Sequence, residues 1–438
     1  MTKTALDELK RVLKEHRKEY FECLSELVSR NTQVLDHGVS GGFEKNGQEY
    51  LRNLYDSLDG DVHTEALTEE IIQRGIENYG EGNPGHNYQN GDRYNLVAHF
   101  AGRKGGRSIL FDCHVDTMPP GDVSLWKSDP YVLTPEGERV RGLGVCDMKA
   151  GLAAASMSVK LLRDAGRELP GDVIILSVVD EEGGGNGSLA AMLAGHRADA
   201  AVVCEPSDRS ITLAHMGFVF FQISVQGAAC HSGKKWDGIN AIEKAILLIQ
   251  ALNDMEREWL MRYKHPLLPP PTLNIGVIDG GTAGSTVPDR CIFKTCVHYL
   301  PKVMSYSSVK KEVVGTLNRR AEGDEWLRKH KPVTSVYQAG GAFEQEKSSP
   351  FVKTAERCMA KTLGNAPISG CAAGNDARLL KTIGGLPTII AGPGSLSQCH
   401  TVNESIEVRD YMDFILFYAT LILDWCSERQ KEEGQETK

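Results

Sequence analysis

Short apolar runs alternate with a helical pattern through the first half of the chain. The runs at 108–113, 172–179 and 200–204 have the length of strands, and each is followed by polar or turn-like sequence. Between the first two, small and apolar residues recur every three or four positions over 148–165, which predicts a helix. This order predicts an α/β fold with a mainly parallel sheet flanked by helices.

The pattern changes at about residue 211, where longer segments of alternating polarity begin. The predicted elements are, in order, a strand region at 211–226, a helix at 238–261, strands at 272–278 and 291–300, a helix at 306–322 and a strand at 333–337. A proline-rich break at 266–271 separates the first helix from the strands that follow. This order predicts an inserted α+β domain with a split βαβ, ferredoxin-like fold.

The α/β pattern resumes beyond this insertion, with a strand candidate at 387–391. We therefore expect one discontinuous domain formed by 1–210 and 339–438, and an inserted domain formed by 211–338. Two domains also suit a chain of 438 residues, because single hydrophobic cores stop growing beyond about 250–300 residues. The segment 78–92 is rich in glycine and asparagine and predicts a long loop.

Composition and charge exclude several classes of protein. With 41% hydrophobic and 24% charged residues, the chain has the composition of a folded globular protein. A formal charge of -9 without a basic cluster argues against nucleic acid and anionic membranes as partners. We see no secretory signal at the start and no apolar run that approaches a membrane span. Eleven scattered cysteines, an odd number, favour reduced thiols and a cytoplasmic location.

Imidazole and carboxylate side chains follow the predicted strands. His114 ends the first strand, and the carboxylate of Asp116, two residues on, is expected to hold one ring nitrogen while the other binds a metal. Asp147 lies between a glycine-rich turn and a predicted helix, and Glu181 and Glu182 directly follow the second strand. Each also has an ordinary alternative: a solvated histidine, a helix N-cap and a pair of surface glutamates.

Two more candidates follow, because Glu205 ends the third predicted strand and His400 lies in a polar segment near the C-terminus. Together these residues supply two imidazoles and at least three carboxylates, the nitrogen and oxygen ligands of a zinc or cobalt pair. A carboxylate shared by two metal ions can hold them roughly 3.5–4 Å apart and make the water between them nucleophilic near neutral pH. The set predicts hydrolysis of an amide or peptide bond, with Glu181 and Glu182 dividing the roles of general base and metal ligand.

Five motifs make the chain similar to a known family. They are His114-Val115-Asp116, Gly144-Val145-Cys146-Asp147-Met148-Lys149, Asp180-Glu181-Glu182, Glu205-Pro206 and Cys399-His400. In order and spacing they resemble the two-metal aminoacylase and carboxypeptidase type of metallohydrolase, which includes acetylornithine deacetylase, succinyl-diaminopimelate desuccinylase and carboxypeptidase G. The resemblance extends over nearly the whole chain.

The resemblance implies a role for each matching residue. Asp147 would bridge two divalent metal ions, which we expect to be zinc, with cobalt or manganese as alternatives. Glu182 and His400 would complete one metal site, and His114 and Glu205 would complete the other.

The same resemblance makes Glu181 the general base and has Asp116 orient His114. It also implies that the inserted domain, 211–338, is a smaller lid of the kind that relatives often use for dimerisation. We therefore expect a homodimer formed through the lid, acting on a small-molecule substrate.

The resemblance also implies residues that bind the substrate, but this chain differs from many relatives at two of these positions. His231 lies in a stretch resembling the family segment whose histidine reaches the active site, often that of the neighbouring subunit, and would stabilise the oxyanion. Ser285 stands where many relatives carry an asparagine, and His298 where many carry an arginine that binds a substrate carboxylate. Asn375 and Arg378 fit a motif near the substrate pocket. The alternative for Arg378 is an exposed helix arginine paired with a neighbouring aspartate.

Five cysteines each precede a proposed site residue, and they are Cys113, Cys146, Cys204, Cys230 and Cys399. Because neighbouring side chains on a strand point to opposite faces, we expect these thiols to pack as small apolar groups. We do not expect them to be metal ligands.

The leading hypothesis is deacylation of an N-acyl amino acid or a related small amide, with Glu181 moving the proton. A dipeptidase or a carboxypeptidase would use the same residues, and an unusual amide or aryl amine stays open as the substrate. A non-catalytic binding protein on the same fold is the alternative from another class. The intact base and the full ligand set argue against that last alternative.

Overall fold

A computed structural model of the chain describes residues 3–88 and 91–427. In this part of the chain the helices are, in order, α1 (Lys3–Glu15), α2 (Arg17–Ser29), α3 (Lys45–Ser57), α4 (Glu69–Tyr79), α5 (Ala150–Asp164), α6 (Asn186–Ala194), α7 (Ala241–Arg262), α8 (Tyr306–Glu322), α9 (Glu325–Lys329), α10 (Pro350–Leu363), α11 (Ala377–Thr382) and α12 (Val408–Cys426). Among these described helices, none combines the length and the apolar character that a membrane span requires.

The strands of the same described residues are, in order, β1 (Val34–Leu35), β2 (Gly41–Gly42), β3 (Asp61–Ala66), β4 (Tyr94–Phe100), β5 (Ile109–His114), β6 (Thr134–Glu136), β7 (Arg139–Arg141), β8 (Val173–Val178), β9 (Ala201–Pro206), β10 (Ile211–His215), β11 (Gly217–Gln226), β12 (Cys230–His231), β13 (Thr272–Gly280), β14 (Thr286–Val287), β15 (Arg290–Tyr299), β16 (Val333–Gly340), β17 (Phe343–Glu344), β18 (Ile368–Cys371), β19 (Thr388–Gly392) and β20 (Ser405–Glu407).

The chain divides into two compact units. The first comprises Met1–Leu213, Gln345–Ser369 and Asn375–Lys438, and the second comprises Ala214–Glu344 and Gly370–Gly374. From the sequence, the boundaries were expected a few residues earlier, after residues 210 and 338. The short return segment Gly370–Gly374 gave no signal in the hydrophobic pattern, because five residues are too few to show a period.

The sheet of the first unit has a parallel centre and antiparallel edges. Its strands run in the order β10, β19, β9, β5, β8, β4, β3. The pairs from β19 through β9 and β5 to β8 are parallel, whereas β10, β4 and β3 pair antiparallel with their neighbours. Every residue of β5 is buried, which is why its sequence begins with three consecutive apolar residues, Ile109–Phe111, rather than with an alternating pattern. The α/β prediction is confirmed, and β5, β8 and β9 end at the same edge of the sheet.

Helix α5 connects β5 to β8 through the core of the first unit. Twelve of its fifteen residues are buried, so small and apolar side chains occur around most of its circumference. The helix was predicted from residue 148 and begins at Ala150, because the residues before it form an irregular turn, Val145–Lys149. This turn carries one of the candidate metal ligands.

The second unit is an antiparallel sheet with helices against one face. The strand order β13, β15, β11, β16, together with the chain order βαββαβ, confirms the ferredoxin-like prediction. Buried and partly buried positions alternate along β11 and β15, and the inward residues form a core with apolar residues of α7 and α8. Helix α7 begins at Ala241 because the side chain of Asn240 accepts hydrogen bonds from the main-chain nitrogens of Ile242 and Glu243.

Candidate metal centre

His114 is the last residue of β5, and its side chain is fully buried. Its Nε2 lies 3.0 Å from Oδ1 of Asp147 and 3.6 Å from Oε1 of Glu205. Its Nδ1 lies 2.9 Å from the main-chain oxygen of Asp116, to which a protonated Nδ1 donates. That hydrogen bond leaves Nε2 directed at the two carboxylates, which is the orientation a metal ligand needs.

Asp116 supports His114 in a different way from the one expected. Its Oδ1 is 3.8 Å from the ring and has no hydrogen-bond partner among the described residues, while its Oδ2 accepts from the main-chain nitrogen of Glu182 at 3.0 Å. Because β5 ends at His114, the side chains of residues 114 and 116 do not share a strand face. Burial raises the pKa of Asp116 to about 8, against the opposing charge of His114. Asp116 therefore connects the end of β5 to the loop that carries Glu182.

Asp147 lies in the irregular turn before α5, and its side chain faces two histidines. Its Oδ1 contacts His114, and its Oδ2 lies 3.4 Å from Nε2 of His400. Helix α5 starts three residues later, at Ala150, with no side-chain cap, so the N-cap interpretation of Asp147 is wrong.

A buried carboxylate, Glu404, holds this turn in place. It accepts hydrogen bonds from the main-chain nitrogens of Gly144, Cys146 and Asp147 at 2.8, 2.6 and 3.0 Å. Gly144 has a φ of 71°, and a Cβ there would lie 2.4 Å from Cγ2 of Thr117, so no larger residue fits without a shift. The sequence alone assigns no role to Glu404, because only the folded chain shows which main-chain nitrogens donate to it.

Glu182 and His400 form the other half of the cluster. Nε2 of His400 lies 2.9 Å from Oε2 of Glu182. Hydrogen bonds with Asp147 and Glu182 raise the pKa of His400 to about 11, although burial opposes them. The Glu182 side chain is only 6% exposed, so it is not a solvated surface glutamate.

The five residues form two groups of three donors that share one carboxylate. The groups are His114, Asp147 and Glu205, and Asp147, Glu182 and His400, and within each group the ligand atoms all lie within 4.8 Å of one another. Burial, followed by the charge of Asp147, raises the pKa of Glu205 well above its usual range, as expected where carboxylates crowd together without enough cation. Imidazole and carboxylate donors in this arrangement fit a pair of divalent metal ions.

Glu181 lies beside this cluster in the same loop. Burial, followed by the charge of Asp376, raises the pKa of its carboxyl group well above the usual value. Within the described residues no hydrogen bond to this carboxylate is found. A carboxylate in such a setting is suited to accept a proton, whereas one with several donors is not.

The residue before it, Asp180, anchors the loop and had no role assigned from the sequence. It has a φ of 64° and a fully buried carboxylate. That carboxylate accepts from Nδ1 of His86 at 2.7 Å, the hydroxyl of Tyr88 at 2.5 Å, Nη2 of Arg93 at 2.7 Å and Nδ2 of Asn186 at 2.9 Å. Two of these donors lie in the segment 78–92, which was predicted only as a loop, because glycine and asparagine content indicates irregular backbone and not the destination of its side chains.

Arg378 is buried, so its alternative as an exposed helix arginine is wrong. Its Nη1 donates to the main-chain oxygen of Asn375 at 2.7 Å, its Nη2 to that of Gly184 at 2.8 Å, and its Nε to Oε2 of Glu81 at 3.2 Å. The side chain of Asn375 accepts from the main-chain nitrogen of Ala377. Both side chains thus have partners within the protein, and their contact with a substrate stays a prediction.

The expected lid residues belong to the second unit. His231 ends β12, and the pairing of β12 with β14 places it opposite Thr286. The main-chain oxygen of Ser285 accepts from the nitrogen of Ser232 at 2.8 Å, so His231 and Ser285 lie in adjacent segments. His298 lies on β15, and burial lowers its pKa below the usual value.

A small cavity adjoins the second group of donors in the first unit. It has a volume of about 90 Å³, and its lining includes the candidate ligands Asp147, Glu182 and His400. The rest of the lining is mixed, with Thr117, Thr401 and Glu404 beside the apolar residues Met118, Trp126, Leu143 and Val402. The cavity therefore offers a small, partly apolar space next to the candidate ligands.

The chain is similar to a family model and to several known proteins. The model of peptidase family M20/M25/M40 matches residues 110–424. An N-formyl-4-amino-5-aminomethyl-2-methylpyrimidine deformylase from Bacillus subtilis is 31% identical over 348 residues, covering 74% of this chain and 81% of that protein. An acetylornithine deacetylase from Buchnera aphidicola is 27% identical over 335 residues, covering 73% of this chain and 81% of that protein. A solved structure described as a dinuclear metal-binding peptidase of the M20 family, from Bacillus subtilis, has a TM-score of 0.61 and 14% identity, covering 94% of this chain and 99% of that chain.

Proposed function

Because this chain belongs to peptidase family M20/M25/M40 and is a metal-dependent amide-bond hydrolase, we propose that it removes a small acyl group from the nitrogen of an amine. The observation that carries this proposal is the pair of donor groups that share Asp147, with Glu181 beside them. His114 and Glu205 would hold one ion, Glu182 and His400 the other, and Asp147 both. We propose zinc as the native metal, with cobalt or manganese as substitutes.

Two divalent ions bound there would polarise the amide carbonyl and acidify the attacking water. Glu181 accepts a proton as that water attacks the carbonyl carbon, and it then gives a proton to the nitrogen of the departing amine. The amide bond breaks, and the products are one carboxylic acid and one amine. His114 keeps Nε2 available as a ligand because its Nδ1 donates to the main-chain oxygen of Asp116.

The size of the cavity beside Asp147, Glu182 and His400 supports the proposal that the acyl group is small. A partly apolar space of about 90 Å³ is large enough for a formyl or acetyl group. Both named relatives, a deformylase and a deacetylase, release acyl groups of this size.

The identity of the released amine is the part of the proposal that is left open, and the charge state of His298 affects it. Burial lowers the pKa of His298, so its imidazole is neutral near pH 7 and supplies no permanent charge for a substrate carboxylate. This favours a heteroaromatic or other amine without a carboxylate as a second candidate beside N-acyl amino acids.

We propose further roles for residues whose motifs resemble those of the family. His231 stabilises the oxyanion, and Ser285, Asn375 and Arg378 contribute to substrate binding. The same resemblance supports a homodimer formed through the lid. A cytoplasmic location is supported by the free cysteines.

The base is tested by comparing two neighbouring substitutions. Glu181→Gln removes the proton acceptor but no ligand, so we expect turnover to fall at least about 100-fold while both metal ions of the candidate centre are retained. Glu182→Gln, the matched variant, changes a ligand and should lose bound metal as well. Metal analysis and initial rates measure both effects, and near-normal turnover in Glu181→Gln would refute the assignment.

The substrate is tested by a screen of the zinc-reconstituted protein, read by released amine. The panel pairs formyl, acetyl and benzoyl groups with amino acids, heteroaromatic methylamines and dipeptides. We expect formyl or acetyl compounds to exceed their benzoyl counterparts by at least about ten-fold. Exclusive cleavage of dipeptides would replace the deacylase proposal with a peptidase, and no cleavage with zinc, cobalt or manganese would favour a binding protein.

A further inference from the structure

A second set of metal-binding side chains lies on the surface of the first unit, apart from the candidate centre. His63 and Glu65 are on the edge strand β3, and His196 follows helix α6. One donor atom from each lies within 4.8 Å of the others. Nε2 of His196 is 2.5 Å from Oε1 of Glu65, and the rings of His63 and His196 are 5.6 Å apart between centroids.

The backbone fixes these three side chains from two directions. His63 and Glu65 are two residues apart on a strand and therefore share one face. Gly195, with a φ of 96°, ends α6, and the guanidinium of Arg197 donates to main-chain oxygens of Met192 and His196. His196 is thus held beside β3 by its own main chain, and its side chain is 19% exposed.

One oxygen of the Glu65 carboxylate accepts no hydrogen bond within the described residues. Its side chain is 18% exposed, and its Oε2 is buried with no hydrogen-bond partner in the described part of the chain. Within the described residues, His196 is the ionic partner of Glu65, and no lysine or arginine lies within ion-pair distance of it. A buried carboxylate oxygen without a donor, beside two imidazoles, is suited to bind a cation.

Another surface group of three possible ligands shows the alternative to a metal site. His16, Glu19 and Asp164 also have donor atoms within 4.8 Å of one another. There, Nζ of Lys160 lies 3.1 Å from Glu19 and 3.0 Å from Asp164, so a lysine already supplies the positive charge. The first group therefore differs from this salt-bridge network, because no lysine or arginine pairs with Glu65 among the described residues.

We propose that His63, Glu65 and His196 form a third metal site, which takes a divalent transition-metal ion such as Zn²⁺. Two imidazoles and one carboxylate are typical ligands for this ion, and water completes its coordination at an exposed site. The bound ion joins the edge strand β3 to the end of α6. Its role is to fix this edge of the sheet, and the hydrolytic reaction does not depend on it.

The test counts zinc ions bound to the metal-free protein by equilibrium dialysis against buffered Zn²⁺. We expect three per chain in the parent protein and two in a His63→Asn/His196→Asn variant, with hydrolytic activity unchanged. His99→Asn is the matched control, because His99 lies on the adjacent strand β4 and pairs with Asp172 outside the cluster. This control should retain all three ions.

Each other outcome has a definite meaning. Equal numbers of ions in the parent protein and the double variant would overturn the proposal, as would loss of an ion in His99→Asn. If the candidate centre itself binds no zinc, the parent would hold one ion and the double variant none. That result would contradict the proposed function and leave the third site supported.

Discussion

Adjacent carboxylates in the first unit have opposite surroundings. Asp180 accepts four hydrogen bonds, and although burial opposes ionisation, the bond from His86 and the charge of Arg93 lower its pKa. The next residue, Glu181, has a raised pKa, chiefly through burial. Dense hydrogen bonding therefore makes one carboxylate a fixed structural anion, whereas its absence suits the neighbour to the role of proton acceptor that we propose for it.

The cysteines beside the candidate ligands pack into the protein. Cys113, Cys146 and Cys204 are buried, and the thiols of Cys146 and Cys399 contact the main-chain oxygen of Ser395 at 3.3 and 3.8 Å. Burial raises the pKa of Cys113 well above its usual value, which disfavours the thiolate that a metal would need.

We expect a Cys113→Ala/Cys399→Ala variant to bind two ions at the candidate centre, because neither sulfur is a ligand. Atomic absorption on the reconstituted protein measures this, with a His114→Ala variant as the control that should lose metal. A double-alanine variant that loses an ion would show that a thiolate takes part.

Glu404 should matter to metal binding although it is not a ligand. Its two oxygens accept three main-chain hydrogen bonds that shape the turn before α5. Glu404→Gln exchanges one acceptor oxygen for a donor group, so at least one nitrogen loses its partner and Asp147 shifts. We expect metal affinity to fall about 10- to 100-fold.

Competition with a chromophoric chelator measures that affinity. Glu407→Gln is the control, since Glu407 lies nearby on β20 but its side chain is 53% exposed and makes only a long ion pair with Arg139. Equal affinities in both variants would show that Glu404 does not position Asp147.

At the scale of elements, helices and strands with a regular hydrophobic period could be predicted from the sequence. Side-chain contacts between residues far apart in the chain could not be predicted from this pattern. Helix α8 begins and ends where predicted, because Ser305 and Ser308 form a capping box at its start and its pattern is regular. The predicted helix included the last two residues of the irregular turn at Val145–Lys149, because the contacts that stabilise this turn come from Glu404, far along the chain. The ends of the parallel strands bring His114, Glu182 and Glu205 together, since these ends share one edge of the sheet. Asp147 and His400 reach the same place from a turn and a loop.

Helix α9 offers a test of stability in the second unit. The side chain of Asp324 accepts from the nitrogens of Trp326 and Leu327 and pairs with Nζ of Lys244 at 2.6 Å. Burial opposes ionisation, but the hydrogen bond from Lys244 and those from the helix lower the pKa of Asp324 below its ordinary 3.8. A lowered pKa in the folded state means that ionised Asp324 stabilises the fold above about pH 4, and that this contribution disappears as pH falls through the folded-state pKa.

We therefore expect Asp324→Asn, which keeps the cap but loses the ion pair, to be less stable than the parent at pH 7, with a difference that shrinks as the pH falls below about 4. Asp324→Ala also loses the cap and should cost about 1 kcal/mol more. Urea unfolding followed by tryptophan fluorescence at several pH values measures these differences. A pH-independent difference for Asp324→Asn would show that the ion pair contributes nothing.

For the whole molecule, bound metal should be a substantial part of folding stability. The first unit crowds four carboxylates, those of Asp147, Glu181, Glu182 and Glu205, around two histidines, and an ion that binds only the folded state stabilises it. Removing metal with a chelator should lower the unfolding temperature by at least about 5 °C, and added zinc should restore it.

Differential scanning calorimetry measures this shift, best in the His63→Asn/His196→Asn background, which removes any contribution of the third site. An Asp147→Ala variant is the control and should respond little to the chelator. A chelator effect of equal size in that variant would place the stabilising ion elsewhere.

The hydrogen bonds to Asp180 have a consequence for engineering. Shortening glycine-rich and asparagine-rich loops is a common way to make an enzyme more heat-resistant, and the segment after α4 looks like an obvious target. However, His86 and Tyr88 from this segment hold the carboxylate that precedes the proposed base. Shortening this segment would leave the metal ligands intact but would remove contacts that hold the backbone next to Glu181. A shortened variant that gains heat resistance is therefore expected to turn over more slowly.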